Sequence, residues 1–194
     1  MKKKNYRKRP AKAQNIRNYL SIIIVFLGIV TIYTLSLDFE FTYDDTVIIV
    51  RQDVPISTGD FLQYFSEQYY PKLPYYRPVT KMTFMLQKTI HGDNPAPFRI
   101  FNAIIIGLSS LFVYALLRLP KFNIPRLPSL FAAALFGLHP VVSACVYPAW
   151  GRDSLLYGFF VIAAVYAFLR SGKMWYSLAV LFCALALYSK EASV

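Results

Sequence analysis

Phe98 to Leu117 carries a single charge, Arg99, and a helix of that length crosses the roughly 30 Å hydrocarbon core of a bilayer. Lipid offers no hydrogen bonds to a peptide backbone, so such a stretch must be helical where it spans. Four further apolar stretches predict the same state. They are 16–37, 128–147, 154–169 and 174–188, with 128–147 broken at His139-Pro140 because a residue before proline is pushed out of helical geometry. Composition agrees: 56% of residues are apolar, 17% are aromatic, 16% are charged, and the mean hydropathy is +0.41. The expected class is an all-α polytopic membrane protein of about five transmembrane helices.

The net charge of +11 does not indicate nucleic-acid binding. Eight of the 21 Lys and Arg residues lie in the first 17, with no acid among them. That is a basic cytosolic tail (1–15) ahead of a signal anchor, which also touches anionic lipids. An apolar run of about 22 residues is too long for a cleaved signal peptide. Lys and Arg accumulate on the cytosolic side, so alternation places 118–127 and 170–173 inside and leaves 38–97, 148–153 and 189–194 outside. All ten Asp and Glu then fall outside. Two isolated cysteines, Cys145 and Cys183, form no metal or disulfide pattern. No repeat, coiled coil or P-loop is visible.

The long outer loop 38–97 predicts two amphipathic, interfacial helices. Thr58-Gly59-Asp60 offers a cap before FLQYFSEQYY, and Pro78 starts VTKMTFMLQKTIH, which Gly92 ends. Every unusual polar cluster lies on the outer side: Tyr43-Asp44-Asp45, Tyr75-Tyr76-Arg77-Pro78, His139-Pro140, Gly151-Arg152-Asp153 and Ser189-Lys190-Glu191. Such residue types suit transfer of a sugar from a polyprenyl phosphate to a hydroxyl. A carboxylate activates the acceptor, and cations hold the departing phosphate. In an extended loop Asp44 and Asp45 point to opposite sides, one toward substrate and the other bracing backbone or binding a cation.

The ordered series FTYDD, YYRPVT, HGDNPAPFRIFN, AALFGLHPVVSA, GRDSLL and ALYSKEAS resembles the amino-terminal half of the transmembrane and TPR repeat-containing O-mannosyltransferases and their bacterial relatives, of the GT-C superfamily. The likeness runs from about Phe39 to Ser193. It implies inverting transfer from a lipid-phosphate sugar on the non-cytosolic face, with Asp44 or Asp45 as base and Asp44 favoured. It implies Arg77, His139, Arg152 and Lys190 as residues that contact donor phosphate or hold the outer loops, and Glu191 as a residue orienting Lys190. The family has further spans and often TPR repeats beyond this region, so the chain is expected to be a truncated GT-C-like fragment.

The implied partners are the polyprenyl-phosphate sugar, a protein or glycan hydroxyl and membrane lipids. A divalent metal is compatible with the carboxylates but not required by them. The implied location is the plasma or inner membrane in a bacterium and the endoplasmic reticulum in a eukaryote. The competing reading is a non-enzymatic polytopic protein, a transporter segment or assembly partner. A transporter places ionisable groups mid-span, where these segments have almost none.

Overall fold

The computed structural model describes residues 11–53, 59, 63, 65–70 and 73–191. Among them the chain is helical, without strands. Seven α-helices follow one another: α1 Ala11–Tyr33, α2 Pro78–His91, α3 Pro95–Leu117, α4 Arg126–Leu138, α5 Pro140–Val146, α6 Arg152–Arg170 and α7 Lys173–Ser189. A five-residue π-helix, Thr46–Val50, lies between α1 and α2. The first expected loop helix lies mostly outside the described residues, although Gly59, Gln63, Phe65 and Ser66 are helical.

Local chemistry sets the helix ends. Asn94 caps α3 by accepting a hydrogen bond from the Ala96 amide at 3.1 Å, and Pro95 occupies its first position. Pro78 and Pro140 likewise open α2 and α5. Gly92 ends α2 at φ 61, a conformation a Cβ disfavours. Pro140 also explains the break before it: His139 is extended, with ψ 131, and α4 and α5 meet at a 50° bend.

Among the described residues two helices, Pro95–Leu117 and Ala149–Arg170, are long and apolar enough to cross a membrane, or three segments if the bent α4–α5 pair is one span. These features fit a membrane protein, but the number is below the five expected from sequence. The difference lies in Leu20–Ser36, which is only part of the region that begins with the 23-residue α1, and in Lys173–Ser189, a shorter apolar helix. Seventeen helical residues, the length of α7, rise about 25 Å.

Small residues let the helices approach closely, as is common between helices in lipid. Gly137 of α4 lies against Ile29 of α1 and the Ser110 hydroxyl of α3. Tyr33 then donates its hydroxyl to the Gly137 carbonyl at 3.0 Å. Buried Ala163, Ala164, Ala167, Ala179 and Ala186 belong to α6 and α7, which pack together after the turn through Ser171 and Gly172.

A second core lies at one end of the bundle and joins the loop to the helices. It contains Ile48, Ile49, Tyr69, Phe84, Met85, Phe98 and Ala149. The α2 helix contributes to this core and also buries two cations. Lys88 donates to the carbonyls of Ile49, Val50 and Gln52, so it closes the carboxyl end of the π-helix. Lys81 pairs with Glu67 at 2.7 Å. The buried face of α2 is therefore committed to protein rather than to headgroups.

The tightest backbone approach is at Gly151, where an added Cβ would collide with the Cys145 carbonyl and Cα. Gly151→Ala should destabilise the fold by about 1–3 kcal/mol. At Gly158 nothing lies within 4 Å, so Gly158→Ala should be neutral or stabilise by up to about 1 kcal/mol. Thermal unfolding in detergent micelles separates the two; equal midpoints would refute the close approach.

Candidate functional site

The second core supports a cavity of about 430 Å³ where four stretches of chain meet. Asp44 comes from the segment before the π-helix, Tyr69, Tyr70 and Tyr75 from the loop, Arg77 from the start of α2, and Asp153 and Lys190 from the ends of α6 and α7. The first turn of α2 is tied to the last turn of α7 by a 2.9 Å hydrogen bond from the Thr80 hydroxyl to the Ser189 carbonyl. Both cations are thereby fixed at one wall.

Arg77 is held on three sides. Its guanidinium lies over the rings of Tyr69 and Tyr75, 5.0 and 4.9 Å from their centroids. One amino group pairs with Asp153, and the Nε and Nη2 edge grips Glu191 in a bidentate pair at 2.7 and 2.6 Å. Burial opposes the Arg77 charge, but the Glu191 hydrogen bond and the nearby Asp153 and Glu191 charges outweigh it and leave its pKa above the ordinary value. The Arg77 hydrogen bond is the chief reason that Glu191 is held below the ordinary glutamate value.

The seven residues singled out by sequence occupy four different settings. Asp44, Arg77 and Lys190 line the cavity. Asp44 accepts a long hydrogen bond, 3.4 Å, from the Tyr70 hydroxyl. Lys190 donates to the Ser154 hydroxyl at 2.6 Å and lies 3.5 Å from the Asp153 carboxylate. Glu191 engages Arg77 in place of the expected partner Lys190. The extended backbone of Lys190, φ −159 and ψ 135, sends successive side chains to opposite faces.

Asp45 and Arg152 lie beneath the cavity and are fully buried. Asp45 accepts from the amides of Trp150 at 2.7 Å, Thr42 at 3.2 Å and Ala149 at 3.4 Å. Burial raises its pKa, against the pull of these amides and of Arg99. Asp44 and Asp45 are helical rather than extended, following a turn with Tyr43 at φ 43. Their side chains diverge because neighbours on a helix are about 100° apart.

Arg152 donates to Asn102, Thr83 and Gln87 and to the Phe98 carbonyl, and lies over the rings of Phe84, Phe98 and Phe101. Its observed contacts hold the loop and helices together. His139 is exposed, caps α5 through the Val141 amide at 3.3 Å, and does not line the cavity.

Asp153 and Tyr69 were missed as site residues. Asp153 is 2% exposed and joins Arg77 to Lys190; its place beside Arg152 in GRDSLL was the available signal. Tyr69 lines the cavity, yet its buried hydroxyl has no hydrogen-bond partner among the described residues. Burial, then the Asp153 charge, pushes the phenol pKa well above its usual value. No local pattern marks such a hydroxyl, since its isolation arises from tertiary packing. Among the described residues no three His, Cys, Asp or Glu side chains gather as a metal site. A divalent cation at Asp44 or Asp153 would need substrate or water oxygens to complete its shell.

Because Glu191 has a folded pKa below its unfolded value, its stabilising effect is complete above the ordinary glutamate range and fades as pH falls through the folded value. Unfolding midpoints measured from pH 7 downward should therefore drop, and Glu191→Gln should flatten this acid limb. An unchanged limb in the variant would show that the pair does not contribute to acid sensitivity.

No protein-family model matches the chain, and no solved structure matches it significantly. Curated proteins do. The chain is 30% identical over 170 residues to the protein O-mannosyl-transferase F38B6.6 of Caenorhabditis elegans, covering 81% of this chain and 24% of that protein. It is 30% identical over 162 residues to human protein O-mannosyl-transferase TMTC3, covering 78% and 17%. It is 22% identical over 207 residues to mouse protein O-mannosyl-transferase TMTC4, covering 91% and 28%. The chain thus spans roughly a quarter or less of the length of the first two relatives. Over most of its own length, the chain is similar to proteins named protein O-mannosyl-transferases, the group its motifs resemble.

Proposed function

We propose that this chain carries the catalytic pocket of a GT-C-type membrane glycosyltransferase that moves a sugar from a polyprenyl phosphate to a hydroxyl acceptor, with inversion. The observation that carries the proposal is one cavity lined by an available carboxylate, Asp44, and two cations, Arg77 and Lys190. The relatives' names support a mannosyl donor and a protein acceptor. The topology belongs to the same proposal: five spans, the amino terminus in the cytosol and the cavity on the outer side. The shorter α7 would cross where the bilayer thins locally.

Asp44 takes the proton from the acceptor hydroxyl as its oxygen attacks the anomeric carbon from the face opposite the phosphate. The bond from that carbon to the phosphate oxygen breaks, and the electron pair leaves with the lipid phosphate. Arg77 and Lys190 bind the charge that develops on it. A phosphate monoester is a weak base, so this leaving group needs charge stabilisation more than a proton. Asp45 supports the reaction indirectly by holding the Ala149-Trp150 backbone at the cavity floor.

The two carboxylates should therefore fail differently. In membranes carrying the full-length gene product and supplied with polyprenyl-phosphate mannose, Asp44→Asn should lower transfer by about two to four orders of magnitude. Its unfolding midpoint should stay near that of the parent. Asp45→Ala leaves three amides without their acceptor and should cost about 2–4 kcal/mol of stability. Full turnover in Asp44→Asn would remove it as base; unchanged turnover and donor binding in Arg77→Lys and Lys190→Met would remove these cations from the donor site, and absence of transfer by the parent protein itself would favour a non-enzymatic protein.

A further inference from the structure

The Arg77–Glu191 pair raises a question of charge. Arg77 already binds Asp153 and Glu191, while Lys190 already lies beside Asp153. An incoming phosphate would meet cations whose charges are spent on carboxylates. The two carboxylates are not equivalent. Asp153 is 2% exposed and locked further by the Ser154 amide and hydroxyl, whereas the Glu191 side chain is 35% exposed and follows the end of α7.

The guanidinium does not depend on Glu191 for its position. Tyr69, Tyr75 and Asp153 hold its plane from the faces and from the other amino group. Its Nε and Nη2 atoms form a planar fork, which accepts a carboxylate or a phosphate in the same two-bond geometry. Tyr69 lines the same cavity, and its hydroxyl is a donor for which the described residues supply no acceptor.

We propose that the Nε/Nη2 edge of Arg77 is a phosphate seat, that the Glu191 carboxylate occupies it at rest, and that the phosphate group of the donor displaces Glu191 to bind. This rests on the reading of the pocket as a donor site and names the group that guards it. Glu191 acts as an internal competitor: it keeps the guanidinium paired when the pocket is empty and sets how strongly a phosphate must bind to enter. Once displaced, Glu191 swings toward solvent, and the Tyr69 hydroxyl gains an acceptor by a small ring movement.

Trp150 lines the cavity, and the other tryptophan, Trp175, lies over Arg170 and Tyr166 at the far end of the bundle. In a Trp175→Phe background, Trp150 fluorescence therefore reports on the cavity. The intact chain in detergent micelles is titrated with citronellyl phosphate and, separately, with inorganic phosphate. Glu191→Gln should tighten citronellyl phosphate binding by about tenfold, the scale expected when a charge-assisted bidentate competitor is removed. Arg77→Lys should abolish that gain when combined with Glu191→Gln.

A parallel gain for inorganic phosphate identifies the phosphate group as the seated element; a gain for citronellyl phosphate alone adds a requirement for the lipid tail. If Glu191→Gln does not fold, Glu191→Asp, with a shorter arm and the same charge, should give a smaller gain. Unchanged affinity in the folded Glu191 variant overturns the proposal and makes the pair a structural clamp. That result leaves the transfer reading intact, because Asp44→Asn turnover tests it separately. Failure of both parent and Glu191→Gln to bind either probe overturns the phosphate seat itself.

Discussion

The architecture depends on a guanidinium taken wholly out of water without a carboxylate partner among the described residues. Arg152 is satisfied by amide and hydroxyl oxygens from α2 and α3, a carbonyl of α3, and three aromatic faces. An isolated buried charge costs far more than its packing returns unless every donor finds an acceptor. The arrangement therefore tolerates little displacement of α2, α3 or α6 relative to one another. Asn102 extends the constraint, because its oxygen accepts from Arg152 while its amide donates to the Pro148 and Ala149 carbonyls. Asp45 holds the amides of Ala149 and Trp150 from the other side. Each polar group in this layer fixes the next, and the cavity inherits its shape from them.

Sequence made the helices legible where a local signal acts on a local bond. Pro78 marked a helix start and Pro140 a break through the restrictions proline places on the backbone, whereas the Asn94 cap, which starts α3 three residues before the expected Phe98, was not read. Sequence also grouped Asp44, Arg77 and Lys190, which line one cavity. What local signals could not supply was pairing. The partner of Glu191 is separated from it by 114 positions, and the choice of Arg77 over Lys190 follows from the extended residue after α7. The adjacent Asp44 and Asp45 presented the same chemistry in the sequence, yet one meets the cavity and the other is consumed by backbone amides. Hydropathy marked all five apolar stretches, of which two, or three with the bent pair, meet the length and hydropathy of a span among the described residues.

Charge within the pocket is divided into a fixed and a more accessible layer. Asp153, Asp45, Arg152 and Arg99 are buried and hydrogen-bonded, so their positions belong to the fold. Arg99 shows the same logic, donating to the carbonyls of Tyr147, Phe39 and Glu40. Lys190 and Glu191 retain partial exposure. Low surrounding dielectric strengthens both favourable pairs and the cost of leaving either partner alone. A pocket built this way can exchange its outer counter-charge without disturbing the inner one.

The tie between the beginning of α2 and the end of α7 also sets an order of assembly. Arg77 is synthesised 114 residues before Glu191, and Thr80 meets the Ser189 carbonyl only when α7 has taken its place. A nascent chain can fold the π-helix against α2 and bury Phe84 against Phe98 earlier, but its cationic wall stays unfinished. Biogenesis thus separates the formation of the scaffold from the completion of the cationic wall, which waits for α7 to pack against α2.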